Sequence, residues 1–326
     1  MKIKIICSLR HCKLPENPFQ FKFSYFNLLP GQEHLDSAIF NNHLYKQIGN
    51  INIREFINKP FFFSFLEIKD KEDFTITTTK TFSALNALSS FIWFAKDNCI
   101  DAGLMYSYYA DVDDIVLSRY KIANTSNANG EYSETLLNLE DIELAEKIFL
   151  KVTELQNNKP DKKKAPELVL DLTRPIISDT NYHYQDYNEN NRIQRALSFL
   201  VMARSNSFLP LKISIYIAIL ETVFTTDSTE VNYKVCQRAA FYLGGDAETK
   251  FANFQKVKEA YDIRSKFFHG QELAKNKDKR ENLASVSVEI DNIVRKVLTK
   301  VLFDDSEIFL KDNTFLNSYY NKLVFK

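Results

Sequence analysis

From Arg192 onward the chain repeats one pattern five times: apolar residues three and four apart, the period of one helix face. Ile193, Ala196, Leu197, Leu200 and Val201 make the first stripe. Ile215, Ala218, Ile219, Thr222 and Val223 make the second, and Pro210 suits the first turn of that helix. Val231, Val235, Ala239 and Tyr242 form the third, closed by Gly244-Gly245. Phe251, Phe254, Val257, Tyr261 and Phe268 form the fourth, with Gly270 placed for a left-handed cap. After a charged loop at 275–280 come Leu283, Val286, Ile290, Ile293, Val297 and Val301. A helix with one apolar stripe is marginal alone in water, so five in succession must bury one another. The pattern predicts an all-helical bundle over residues 185–326.

The first half reads differently. Phe19, Phe21, Phe23 and Tyr25 alternate with Gln20, Lys22 and Ser24, the period of a half-buried strand. Residues 61–68 and 74–81 are rich in β-formers and flank a charged turn at 69–73, which predicts two more strands. Leu85, Leu88, Phe91, Ile92, Ala95 and Cys99 then take helical spacing, with Ser83 as the N-cap. A strand is expected at 114–122, and a helix on Ile142, Ala145, Ile148, Phe149, Val152 and Leu155. The run Lys159-Pro160-Asp161-Lys162-Lys163-Lys164-Ala165-Pro166 marks a break: a solvated linker, with an RNA-binding patch as the alternative. The expected fold class is α+β. A mixed domain with antiparallel strands over 1–160 precedes the helical bundle.

With 42 basic and 42 acidic residues in 326, the net charge is zero, which excludes a protein that coats nucleic acid by bulk charge. Seven glycines leave neither GxGxxG nor GxxxxGK[ST], so no phosphate loop of those kinds exists. No stretch approaches 18 consecutive apolar residues, and the start, MKIKIICSLRHC, lacks a signal-peptide core. A cytoplasmic protein without a membrane partner is expected. The cysteines Cys7, Cys12, Cys99 and Cys236 are scattered, as reduced buried thiols are. Cys7, His11 and Cys12 lack CxxC spacing and read as a strand-embedded pair with a surface histidine, zinc being the alternative. Asp111, Asp113, Asp114, Glu140 and Asp141 sit where loops and helix starts favour acids. No metal and no cofactor is expected.

The fourth helix interrupts its own stripe: the helical steps from Tyr261 land on Arg264 before Phe268. His269 follows at the expected helix end. Five residues turn a helix about 140° beyond one full turn, so the two side chains do not stack on one line. Two readings fit the spacing. In one, Arg264 is structural and His269 complements the helix dipole. In the other, both converge on one anion, within one chain or across a dimer interface.

The string Tyr261-Asp262-Ile263-Arg264-Ser265-Lys266-Phe267-Phe268-His269-Gly270 resembles the R-x4-H signature of HEPN-domain ribonucleases. It is most similar to the Apea-like branch, where Tyr-x-x-Arg-Ser-Lys-x-x-His-Gly is typical. Residues 217–224, ending Leu220-Glu221-Thr222-Val223-Phe224, resemble that family's "ALE" helix, and 230–240 the helix after it. The likeness spans about 192–304. Ser265 stands where many active members carry Asn, Asp or His.

This resemblance implies a metal-independent endoribonuclease, of antiviral or toxin type, acting on RNA, tRNA included. His269 would serve as acid or base at the ribose 2′-hydroxyl or the leaving 5′-oxygen, and Arg264 would stabilise the phosphorane. Glu221 would orient Arg264, Lys266 and Lys256 would contact phosphates, and Tyr261 would pack. Members of the family form homodimers in which two motifs build one site, and a toxin-type role implies an antitoxin or trigger as a further partner. The alternative is a non-catalytic HEPN module that binds RNA, a nucleotide or a protein.

Overall fold

The computed structural model describes residues 1–15, 21–23, 26–31, 39–69, 72–110, 116–120, 125–157 and 190–325. The linker run at 159–166, Asp111, Asp113, Asp114, Phe19 and Tyr25 lie outside the described residues. So does the expected boundary between the two halves.

β1 (Lys2–Arg10) runs through the middle of a six-stranded sheet. On one side follow β5 (Phe61–Glu67), β4 (Phe26–Leu29) and β3 (Phe21–Phe23). On the other lie β6 (Asp101–Tyr109) and β7 (Val116–Tyr120). Every neighbouring pair is antiparallel, as expected. A short parallel pair, β2 (Cys12–Lys13) with β8 (Thr135–Leu136), stands apart. Alternate residues of β1 serve opposite faces. Ile3, Ile5, Cys7 and Leu9 join a core with α2 (Glu72–Phe91) and α3 (Leu139–Asn157). Ile6 turns to α1 (Asn42–Ile53), alongside Tyr106 and Tyr108. Covered on both faces, β1 and β6 read as apolar runs rather than clean alternations.

The strand expected at 74–81 is a helix. Phe74, Thr78, Phe82, Leu85 and Leu88 are buried at helical spacing, so the threonines that suggest a strand lie on a 3.6-residue period. Thr78 satisfies its hydroxyl by donating to Ser107 Oγ at 2.8 Å. α2 therefore begins at Glu72, and Ser83 lies inside it rather than capping it.

The second half is helical throughout its described residues: α4 (Arg192–Arg204), α5 (Leu209–Phe224), α6 (Val231–Leu243), α7 (Ala247–Phe268) and α8 (Arg280–Phe303). The short α9 (Ser306–Phe309) and α10 (Asn313–Val324) complete it. Pro210 lies in the first turn of α5. The fourth stripe buries only its middle: Val257, Ala260, Tyr261 and Ile263 are in the core, while Phe251 and Phe268 are exposed. Val201 is likewise exposed, and Ala203 takes the inward place on α4. Residues at the ends of a long helix pass beyond the helices that cover its centre.

The bundle core does not stop at the bundle. α3 gives Ile142 and Ala145 to the sheet's core and Ile148, Val152 and Leu155 to the bundle's. Trp93 and Phe94, in the 3-10 turn after α2, also enter the bundle core. Trp93 Nε1 donates to Asp291 Oδ1 at 2.8 Å, and Tyr216 Oη donates to the same oxygen at 2.6 Å. Arg295 pairs with the other carboxylate oxygen. Arg204 donates to the Ser90 and Asn98 carbonyls at 2.9 and 3.1 Å. Lys212, fully buried, donates to oxygens of Ser126, Ala203 and Asn206 at 3.0 to 3.3 Å. Burial pushes its ammonium pKa down to about 8, although Asp291 and Asp97 pull it back up.

Two outcomes test this seam. Asp291→Ala strands a buried indole N–H, a phenol and a guanidinium, and should cost about 3–5 kcal/mol in chemical denaturation. A loss below about 1 kcal/mol would contradict the seam. Lys212 releases its proton at lower pH when folded than when unfolded, so the unfolded chain binds more protons between about 8 and the free value 10.5. Wild-type stability relative to Lys212→Met should therefore rise across that window, by about 1 kcal/mol per pH unit. A flat difference would show that Lys212 is not held in a desolvating site.

Candidate active site

Two arginines anchor the C-terminal end of α5. Arg192 donates to the carbonyls of Thr222, Val223 and Thr225 at 2.6 to 3.0 Å, and Arg238 to that of Phe224 at 2.6 Å. Helix ends expose unsatisfied carbonyls with partial negative charge, and two guanidinium groups complement them here. Glu221 rides on that fixed end.

Across from it, α7 starts at Asp246, whose side chain accepts from Thr249 N at 2.7 Å. It stops in a paired turn. Gln271 N donates to Lys266 O at 2.9 Å and Gly270 N to Phe267 O at 3.3 Å, with Gly270 at φ 63. That φ is open to glycine at no steric cost. His269 is thereby the C-cap residue, at φ −90 and ψ 6.

Glu221, Tyr261 and Arg264 come together. Tyr261 Oη donates to Glu221 Oε1 at 2.5 Å, and Arg264 Nη2 donates to Glu221 Oε2 at 3.2 Å. Burial and this hydrogen bond to the carboxylate push the Tyr261 pKa well above its ordinary value, so the phenol stays a donor. The Arg264 guanidinium lies between two rings, 5.5 Å from the Tyr261 centroid and 5.2 Å from that of Phe268. Its Nε is buried with no acceptor. Arg264 is thus preorganised by Glu221 and the two rings, with its Nε shut off from solvent and only its terminal nitrogens left to meet an anion. The packing role expected of Tyr261 is joined by a polar one: it shares the carboxylate that orients Arg264.

His269 is exposed, and its imidazole makes no hydrogen bond or ion pair among the described residues. On α7 it continues the three-four spacing of Lys258, Asp262 and Ser265, a strip turned about 100° or more around the helix from Arg264. Ser265 lines an open groove of about 550 Å³ with Asn232, Lys258, Asp262 and Lys277. Lys266 and Lys277 share the one carboxylate of Asp262, at 3.5 and 3.2 Å. Lys256 is paired with Glu289 at 3.3 Å. Phe268 is the residue that periodicity misplaces: it counts as core by spacing, yet its ring stands outside beside Arg264.

The other candidates fall elsewhere. Cys7 and Cys12 are buried in β1 and β2, where desolvation raises both thiols, Cys12 to about 12. His11 sits between them with its ring 6.1 Å from that of Tyr132. Asp141 serves helix capping: its backbone N–H donates to Asn138 Oδ1 and its carboxylate accepts from Asn138 N, both at 2.9 Å. It also pairs with Lys96 at 2.5 Å. Among the described residues, no three His, Cys, Asp or Glu side chains gather as a metal-binding group. No described helix is long and apolar enough to cross a membrane.

No family model, curated protein or solved structure matches the chain.

The geometry separates the two members of the motif by their effect on stability. Tyr261→Phe removes a hydrogen bond to a charged carboxylate and should cost about 1.5–3 kcal/mol. His269→Ala touches nothing and should stay within about 0.5 kcal/mol of wild type. Chemical denaturation of both variants decides this, and a large loss in His269→Ala would mean that the imidazole has a structural partner.

Proposed function

We propose that the chain is a HEPN-like endoribonuclease that cleaves RNA without a metal, with Arg264 and His269 as its reacting pair. The observation that carries the reading is the clamp on Arg264. Glu221, Tyr261 and Phe268 hold the guanidinium in place, five residues before an exposed imidazole with no partner among the described residues.

The chemistry balances without further reagents. An imidazole takes the proton of the ribose 2′-hydroxyl as that oxygen attacks phosphorus. The bond from phosphorus to the 5′-oxygen breaks, and a protonated imidazole supplies the leaving oxygen with its proton. The products are a 2′,3′-cyclic phosphate and a 5′-hydroxyl, and DNA, which lacks the attacking group, is spared. Arg264 carries the extra negative charge of the phosphorane. One chain brings one such histidine, so a two-fold homodimer through the helical half supplies both base and acid. The HEPN resemblance supports an antiviral or toxin-type role in the cytoplasm, with tRNA among the RNA substrates.

A second reading draws on the same clamp. Glu221 already neutralises Arg264, which favours a module that binds RNA, a nucleotide or a protein without cutting. Purified protein incubated with total RNA in EDTA distinguishes the two. Wild type should cut, and His269→Ala should lose about 10²–10⁴ in rate while keeping its stability. Arg264→Lys, which retains the charge but not the planar fork, should lose about 10²–10³. Folded variants that cut at the wild-type rate would move the active site elsewhere, and a wild type that binds RNA without cutting would favour the module.

A further inference from the structure

Phe268 is 56% exposed and Phe208, at the N-cap of α5, is 58% exposed. Single exposed rings are common on protein surfaces, but these are joined. Phe208 meets Phe267 edge-on with centroids 5.8 Å apart, and Phe267 meets Phe268 at 5.5 Å. The row ends at Arg264, whose guanidinium lies 5.2 Å from the Phe268 centroid, and His269 is the next residue. Exposed rings and a guanidinium therefore adjoin at one helix end, which the exposed His269 caps.

We infer that this row is a stacking platform for an unpaired nucleobase of single-stranded RNA, seating the nucleotide whose phosphate meets Arg264. This rests on the reading of the site as one that engages RNA. The match is chemical. A nucleotide is a flat π-face tied to an anion, and the Phe268 ring, inclined 59° to Phe267, offers a single π-face beside a cation. Stacking on an aromatic side chain contributes about 1–3 kcal/mol per base and tolerates any base, because every base has a π-face. A second copy of the chain fits less well. Three rings are a small part of the roughly 800 Å² per partner that a stable interface covers. A flush apolar contact would also bury the Arg264 guanidinium, whose Nε already lacks an acceptor. The platform would make the enzyme selective for loops and single strands, where bases are free to leave their neighbours.

The test uses binding rather than cleavage. The probe is a short single-stranded 2′-O-methyl oligoribonucleotide, which cannot supply the attacking hydroxyl, titrated into the full chain by fluorescence anisotropy. A partly abasic oligonucleotide of equal length and charge is titrated beside it. Wild type should prefer the base-bearing strand. Phe268→Ala should weaken that binding about 5-fold or more, Phe208→Ala should weaken it less, and Phe268→Trp should restore it. Phe268→Leu, apolar but without a π-face, should behave as the alanine variant. Binding of both oligonucleotides alike by wild type, or wild-type affinity in Phe268→Leu, would overturn the platform. So would a loss of dimer mass in light scattering for Phe268→Ala, which would assign the row to a second copy. A chain that prefers the base-bearing strand but never cuts RNA keeps the platform and loses the nuclease. One that cuts RNA without the preference does the reverse.

Discussion

Asp291, 1% exposed on α8, accepts hydrogen bonds from Trp93 and Tyr216 and pairs with Arg295. These partners come from the turn after α2, from α5 and from α8 itself, so one carboxylate ties the sheet half to two helices of the bundle. Taking an ion out of water costs several kcal/mol, and three donors on the two carboxylate oxygens offset that cost here. Around it, Arg204 and Lys212 reach carbonyls on the far side of the same seam. The helix that carries Glu221 is thus held from behind by a buried polar network through Tyr216 and Lys212. In front, Glu221, Tyr261 and Phe268 hold Arg264.

That division explains how much of the structure could be read from sequence. The bundle was legible because each of its helices buries a stripe at one period, and Pro210, Gly244 and Gly270 punctuate the ends. The N-terminal half was less so. In α2 the buried positions include Thr78 and Thr81, and β-branched residues at a helical period resemble a strand when judged by composition. β6 is buried along its whole length, which removes the alternation that would announce it. α1, held by the Asn41 cap, carries a kink at Gly49 and buries only Leu44, Ile48 and Ile53, too few to form a visible stripe.

The candidate site was legible in part for a similar reason. Arg264 betrays itself by occupying a core position on a stripe, and Glu221 lies one helix away in a string that resembles a known motif. Phe268 hid because spacing alone cannot tell the covered middle of a helix from its uncovered end. The Tyr261 hydrogen bond hid because a phenol on an apolar stripe is satisfied by packing as far as sequence can show. The seam residues Trp93, Arg204, Lys212 and Asp291 are single polar or aromatic side chains on otherwise ordinary elements. Their meaning is tertiary, and no local pattern marks them.

The proposed reaction is recorded in its products. Attack by the ribose 2′-hydroxyl leaves a cyclic phosphate on one fragment and a hydroxyl on the other, whereas attack by water leaves a different pair of ends. Mass spectrometry of the fragments that the purified chain makes from a short single-stranded RNA, in EDTA, therefore reads the mechanism directly. The expected fragments carry 2′,3′-cyclic phosphate and 5′-hydroxyl termini, with no cut at a position where the nucleotide 5′ to the scissile phosphate is 2′-deoxy. Fragments with 3′-hydroxyl and 5′-phosphate termini, or cleavage at the deoxy position, would contradict it.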